Sequence, residues 1–300
     1  MAMWDTTDFL SRVKRKAQWP SDAKLTDDQL LDIADEEGHA YIAPLVRIAA
    51  EAFWVKRYTT PLVSGQPLYR IPYRTTGGTV YDVSVQDTTG RIRRLSKVQA
   101  SEIYMFASGL QSALSGIPTA YCIEGDQIRI MPIPSSPLTL MVRFERRPSK
   151  LVQTTSCVQV ATVSSMSLTT AAAMSGFSGT VDIVQARPNF DSLLDDATAV
   201  QSGSGPYTYT FTQTLTDVIA GDWMCPPGQS CVVQYPDPLY PIIIDRVAAQ
   251  ALEEAGDRNL ANDIRAGIEP KLNGVMKALE PRAETSSPAI YNKWGTLRGG

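Results

Sequence analysis

The residues able to do chemistry in this chain are few, and their spacing excludes more than it offers. Cys225 and Cys231 are six residues apart and, with Cys122 and Cys157 far away in sequence, have no neighbouring pair to complete a tetrahedral zinc site. Reduced thiols are the default expectation, with a Cys225–Cys231 disulfide open to a protein that ends in an extracellular particle. The single histidine, His39, rules out Ser-His-Asp and Cys-His machinery unless it is itself the base, and it reads as an exposed or satisfied helix residue. Asp35-Glu36-Glu37 lacks the histidine or second acidic pair that a metal would want and reads as a solvated helix face. Asp195 and Asp196 adjoin on a strand pattern, where neighbours point to opposite faces, which argues against a catalytic pair. Ser202-Gly203-Ser204-Gly205 lies in a turn and not between a strand and a helix, so it is no nucleophile elbow. Gly77-Gly78 enters a strand and reads as a bulge or turn. No phosphate loop or dinucleotide fingerprint occurs. The expectation is a protein that is not an enzyme, with no catalytic, metal or cofactor residue assigned.

The elements that carry these residues change period along the chain. Phe9, Leu10, Val13 and Ala17 mark a short amphipathic helix over 6–18, stopped at Trp19-Pro20. Thr26 and Gln29 form a capping box that opens a long helix running to about Tyr58, with a kink or break at Pro44. Strands follow at 58–63 and 67–72, joined by a Ser64-Gly65 turn, then at 79–86, 91–95 and 138–145. A helix is expected over 97–107. Residues 118–130 read as a β-hairpin about Gly125-Asp126. Residues 153–235 are Ser/Thr-rich and repeat themselves: the order seen from Val158 to Val184 recurs from Ala199 to Cys225, which predicts two copies of a short β-module in a small sandwich or barrel. Helices return at 241–255, ending at Gly256, and at 259–279, interrupted by Pro270. The fold class is α+β: a helical bundle from the two ends of the chain (1–57 and 236–284), an antiparallel β-domain (58–152), the inserted β-module (153–235) and an extended C-terminal arm (285–300).

Composition agrees with a globular chain. Its 300 residues are 43% hydrophobic and 20% charged, which excludes collagen-like and wholly disordered readings. No apolar run is long enough for a membrane-spanning helix, and Met1 to Asp5 lacks the basic flank of a signal peptide, so no membrane association or export is expected. The formal charge of −3 hides a strong asymmetry: residues 58–152 carry 11 basic and 6 acidic groups, and 153–235 carry 1 and 6. Opposite charge in neighbouring segments points to structural units with different neighbours. The basic excess is too diluted by strand residues for a nucleic-acid patch.

Several stretches, in this order, resemble the head-to-tail adaptor (connector) proteins of tailed bacteriophages: residues 29–36, Tyr41 to Val46 with the aromatic end Phe53-Trp54, Pro61 to Pro72, Pro118 to Tyr121 with Glu124-Gly125-Asp126, Ile130 to Pro134, Arg146-Arg147-Pro148, and Pro238 to Gly256. The insertion at 153–235 is the least typical part. The resemblance implies a virion protein, made in the host cytoplasm, that closes into a ring of about twelve copies. Its implied partners are the portal protein above, a tail or nozzle protein below, other copies of itself, and DNA sliding through without tight binding. It implies a C-terminal arm that orders on the portal, with Tyr291, Trp294 and Leu297 as anchors. Asp32, Asp35 and Glu36 are the candidate channel-facing charges, repelling phosphate so that DNA slides. Arg91, Arg93 and Arg94 are the candidate basic patch for an acidic partner surface. The competing reading is a peripheral decoration or glycan-binding module that uses Tyr207, Tyr209, Phe211 and Trp223.

Overall fold

The computed structural model describes residues 5–19, 25–49, 53–102, 116–174, 177–186, 192–202 and 207–279. The chain divides into two units, Glu51–Pro148 and Met1–Ala50 with Ser149–Gly300. The architecture is mixed α+β, with several antiparallel sheets beside helices.

The 51–148 unit holds β1 (Val55–Pro61), β2 (Leu68–Arg70), β3 (Thr75–Gln86), β4 (Ile92–Arg94), β5 (Ser96–Lys97), β6 (Ala120–Glu124), β7 (Gln127–Met131) and β8 (Thr139–Arg146). They form two four-stranded sheets, β1-β8-β3-β4 and β2-β7-β6-β5. Every pairing is antiparallel except the short β5–β6 ladder. Alternating residues from both sheets meet in one core: Val83, Val85, Leu140, Val142 and Phe144 from the first, Tyr69, Tyr121, Ile128 and Ile130 from the second. The β6–β7 hairpin closes as expected about Gly125-Asp126, with Glu124 opposite Gln127. Gly77 and Gly78 take φ of +53° and +73° inside β3, where the register against β8 slips between Thr75 and Val80. The pair is a bulge, a backbone shape that side chains resist.

Two expectations need correction here, the long helix to Tyr58 and the helix over 97–107. The helix that starts at Thr26 does not reach Tyr58, because Val55 to Pro61 is strand. Branched and aromatic residues there pair across to β8, with Tyr58 opposite Val142 and Lys56 opposite Phe144. The two strands joined by the Ser64-Gly65 turn are present, and they enter different sheets, β1 beside β8 and β2 beside β7. Of the helix expected over 97–107, Lys97 is in strand β5 and Gln99 to Glu102 form a turn closed by Glu102 N–H to Gln99 O at 2.9 Å. The remainder lies outside the described residues.

The second unit begins with α1 (Thr6–Lys16), α2 (Asp27–Glu37), a π-helical turn (Gly38–Ile42) and α3 (Ala43–Ala49). The capping box is present: the Thr26 hydroxyl accepts the Gln29 amide at 3.3 Å, and Thr26 N–H donates to Gln29 Oε1 at 2.8 Å. Pro44 has no N–H and its ring crowds the preceding turn, and the chain answers by widening that turn, so that Ala43 N–H reaches back to Gly38 O. After Ser149 come β9 (Lys150–Leu151), β10 (Val158–Val163), β11 (Ser167–Thr170), β12 (Thr180–Val184), β13 (Ser192–Ser202), β14 (Tyr207–Phe211), β15 (Trp223–Cys225) and β16 (Gln229–Ser230), the last pairing parallel with β9. Three helices finish the described chain: α4 (Tyr240–Ala255), α5 (Arg258–Ala266) and α6 (Ile268–Leu279). Gly256 ends α4 in the left-handed conformation. The break before α6 comes at Gly267, which leaves Pro270 in a first turn where a missing donor costs little.

α4 is the central helix. Ile242, Ile243, Val247, Ala248 and Ala251 are buried along it. Phe9 of α1 meets Tyr240 edge-to-face at 5.9 Å. Buried Asp245 receives Lys16 of α1 at 3.1 Å and Lys271 of α6 at 2.5 Å, and Arg246 pairs with Glu37 of α2.

Strands β10 to β15 close a six-stranded barrel in the order β10-β11-β14-β13-β12-β15. This order is unchanged when β10, β11 and β12 are exchanged with β13, β14 and β15, so the sequence repeat becomes a two-fold pseudosymmetry. Its axis runs through the pairs Leu168–Tyr209 and Ile183–Met224, each joining equivalent positions of the two copies. A half-barrel leaves its strand edges open; closing on the second copy pairs them all.

Candidate functional site

The basic edge of the 51–148 unit starts with local chemistry. Asp87 Oδ1 accepts from Thr89 N–H at 2.9 Å, Thr89 Oγ1 at 2.6 Å and Arg91 N–H at 2.9 Å. These bonds, the Thr89 hydroxyl foremost, hold the Asp87 carboxyl below its ordinary pKa. They shape the turn that lays β4 against β3, with Arg93 opposite Val85 and Arg94 opposite Ser84. Among the described residues β4 pairs on one side only, with β3. Ile92 is 56% exposed there, and Arg91, Arg93 and Arg94 are exposed too. Arg94 holds Asp82 at 2.6 Å and, with Lys97, borders a groove of ≈ 730 Å³ floored by Tyr81, Leu95 and Tyr121. The basic excess of the segment is not all surface, since Arg74 and Arg146 are buried.

The acids of α2 are divided by helical spacing. Asp28, Asp32 and Asp35 share one face and meet the segment that begins at β9: Gln153 Nε2 donates to Asp28 at 2.7 Å, Lys150 pairs with Asp32 at 2.9 Å, and Leu151 N–H donates to both Asp35 oxygens at 2.9 and 3.0 Å. Asp35 is thus bound to backbone, and burial raises its carboxyl to about 7 against the opposing pull of the Leu151 bond and Lys150. Glu36 is exposed. Glu37 belongs to a small network in which Arg246 lies 3.6 Å over the Tyr41 ring and Tyr41 OH donates to Glu269 at 3.2 Å. His39 is exposed in the π turn. Tyr291, Trp294 and Leu297 lie outside the described residues.

The aromatics that could have formed a glycan platform are used elsewhere. Tyr209 and Phe211 are buried in the barrel core, with Tyr207 packed against it, because their spacing of two turns them all to the inner face. Trp223 packs instead beside a cluster that spacing along the chain does not reveal. Cys157, Cys225 and Cys231 are buried together, their sulfurs all within 4.8 Å of one another. Cys157 precedes β10, and Cys225 ends β15, which is antiparallel to it, so the ladder brings them together. Cys231 follows β16. Hydrogen bonds from Cys225 and Cys231 pull the Cys157 thiol down to about 5, while burial pushes the other two up. The spacing of Cys225 and Cys231 was the visible signal; Cys157 lay too far off in sequence to be joined to them.

No helix among the described residues is long and apolar enough to cross a membrane. No curated protein matches the chain. A protein-family profile described as SU10 adaptor protein matches residues 5–207, which takes in the α1–α3 segment, the 51–148 unit and the barrel as far as the start of β14. A structural adaptor family implies a non-enzymatic virion component that binds other phage structural proteins. The chain belongs to the SU10 adaptor protein family, a family of tailed-phage adaptors.

Proposed function

We propose that this protein is the head-to-tail adaptor of its phage: a closed ring of about twelve copies beneath the portal that extends the DNA channel and carries the tail. The observation that carries the reading is the family match over residues 5–207. The surface supports it. Among the described residues β1 and β4 are the edge strands of their sheet, and Tyr58, Tyr73 and Ile92 leave large apolar groups exposed in the same unit. Heterologous contacts of this kind close into rings when each copy presents one surface to the next. In this reading the terminal helices form a bundle, and Asp32 and Glu36 face the channel, where like charge keeps DNA from sticking. Asp35 serves the fold instead, through Leu151. The basic edge Arg91, Arg93 and Arg94 meets an acidic surface, and the arm 285–300 docks on the portal through Tyr291, Trp294 and Leu297.

The test is the copy number of this chain in purified, DNA-filled particles, measured by quantitative mass spectrometry. About twelve copies per particle is the expected result for one ring at the portal vertex. Absence from the particle, or copies in the hundreds, overturns the reading.

A further inference from the structure

We propose that Cys157, Cys225 and Cys231 form a binding site for one thiophilic d10 cation, zinc being the commonest of the class, and that the ion clamps the root of the barrel to the segment leading into α4. The proposal is independent of the adaptor reading. Its ground is convergence: Cys157, sixty-eight residues before Cys225 in the chain, is brought by the barrel ladder onto the loop that carries Cys225 and Cys231, and the three sulfurs meet one another. Cys225 Sγ and Cys231 Sγ are 3.9 Å apart, and all three sulfurs lie within 4.8 Å of one another. Thiolates bound to zinc at about 2.3 Å stand about 3.8 Å from each other in a tetrahedral site, and slightly farther in a trigonal one. The observed spacing accepts such an ion with little movement. All four cysteines are free thiols, so no disulfide competes for these sulfurs.

The surroundings suit a cation and its ligands. Val152, Val184, Trp223 and Val232 enclose the cluster, and a low dielectric strengthens the attraction between thiolate and cation. The loop that spaces Cys225 from Cys231 is held in shape by fully buried Asp182, whose Oδ2 accepts Gly228 N–H at 3.1 Å. Cys231 O accepts Thr6 N–H at 2.8 Å, which ties the third ligand to the start of α1. Among the described residues, no fourth Cys, His, Asp or Glu ligand atom lies within the same mutual distance, so the ion is three-coordinate or keeps one exogenous ligand. The site is buried, and loading belongs to folding.

The experiment uses the full chain, purified with a phosphine reductant and titrated with Zn(II) or Cd(II). The expected result is retention of a single equivalent through gel filtration, a raised unfolding midpoint, and with Cd(II) an ultraviolet thiolate-to-metal charge-transfer band. X-ray absorption of the zinc-loaded chain should count three sulfur neighbours at about 2.3 Å. Cys122→Ala, in the other unit, should bind as the wild type does. Cys157→Ala should lose more than the roughly tenfold that losing a supporting partner costs. If Cys157→Ala does not fold, the wild-type sulfur count decides. A folded wild-type chain that retains no metal, a count below three sulfurs, or binding lost in Cys122→Ala overturns the proposal.

Discussion

Asp35 gives up the charge it would have in water. Its carboxyl titrates near 7 in the folded protein against 3.8 when free, because burial outweighs the Leu151 hydrogen bond and Lys150. Between those two values the folded chain holds a proton that the unfolded chain has released, so stability falls as pH rises from about 4 to about 7 and stays lowered above that. Asp35→Asn keeps an acceptor for Leu151 N–H and removes the charge. It should stabilise the protein at pH 8 by up to about 2 kcal/mol, a figure already discounted for partial exposure, and the gain should vanish near pH 4. Urea unfolding of both proteins at the two pH values measures it; equal stability at pH 8 would show that the buried carboxylate costs nothing.

The π turn and the β4 edge make their claims at the level of elements. The turn ahead of Pro44 brings Gly38 against Tyr235, so that a Cβ on Gly38 would sit 2.4 Å from the phenol oxygen and 3.0 Å from its ring carbon. Tyr235 is buried and its ring is rigid. Gly38→Ala should therefore destabilise by about 1–3 kcal/mol, the range for overpacking a tight core, seen as a lower urea midpoint. Gly274→Ala, whose added Cβ meets nothing within 4 Å, is the control and should not lower it. On β4, Arg94→Glu would set a carboxylate against Asp82, so Arg91 and Arg93 are the cleaner probes of the exposed edge. The double reversal Arg91→Glu with Arg93→Glu should leave the unfolding free energy within about 0.5 kcal/mol of wild type. It should weaken assembly, more so at low salt. Unchanged assembly, read by native mass spectrometry or by incorporation into particles, counts against the basic-patch proposal.

At the scale of the whole molecule the chain distributes its tasks along its length. The acidic 153–235 segment is the pseudosymmetric barrel, complete in its own strand pairing. Among the described residues the first sheet of the 51–148 unit ends at β1 and β4. The proposed docking role of residues 285–300 is tested by removing them. A chain ending at Glu284 should keep its folded core and lose its place in the particle, because aromatic anchors carry most of an interface's energy. Copy number in particles made with the truncated chain measures this, and full incorporation would remove the arm from the docking proposal.

Local pattern alone determined a good deal of this protein. The Thr26 capping box, the Gly125-Asp126 hairpin, the positive-φ Gly77-Gly78 pair and the Gly256 stop all depend on residues close in sequence, where hydrogen bonding and backbone sterics act without the rest of the fold, and the repeat was legible because its two copies share a local pattern. The family resemblance was carried by stretches of the same local kind. What pattern could not reach was decided by partners distant in the chain. Val55 to Tyr58 has helical residues before it, yet it becomes strand because β8, more than eighty positions on, offers a ladder. Asp32, Asp35 and Glu36 look alike as neighbours, and only β9 separates a backbone-bound acid from an exposed one. Cys157 joins Cys225 and Cys231 because barrel closure sets the start of β10 beside the end of β15. Sequence spacing encodes contacts within a turn or a hairpin; which strands become neighbours is settled when the cores of the two units form, since only then does burial select one pairing over the others.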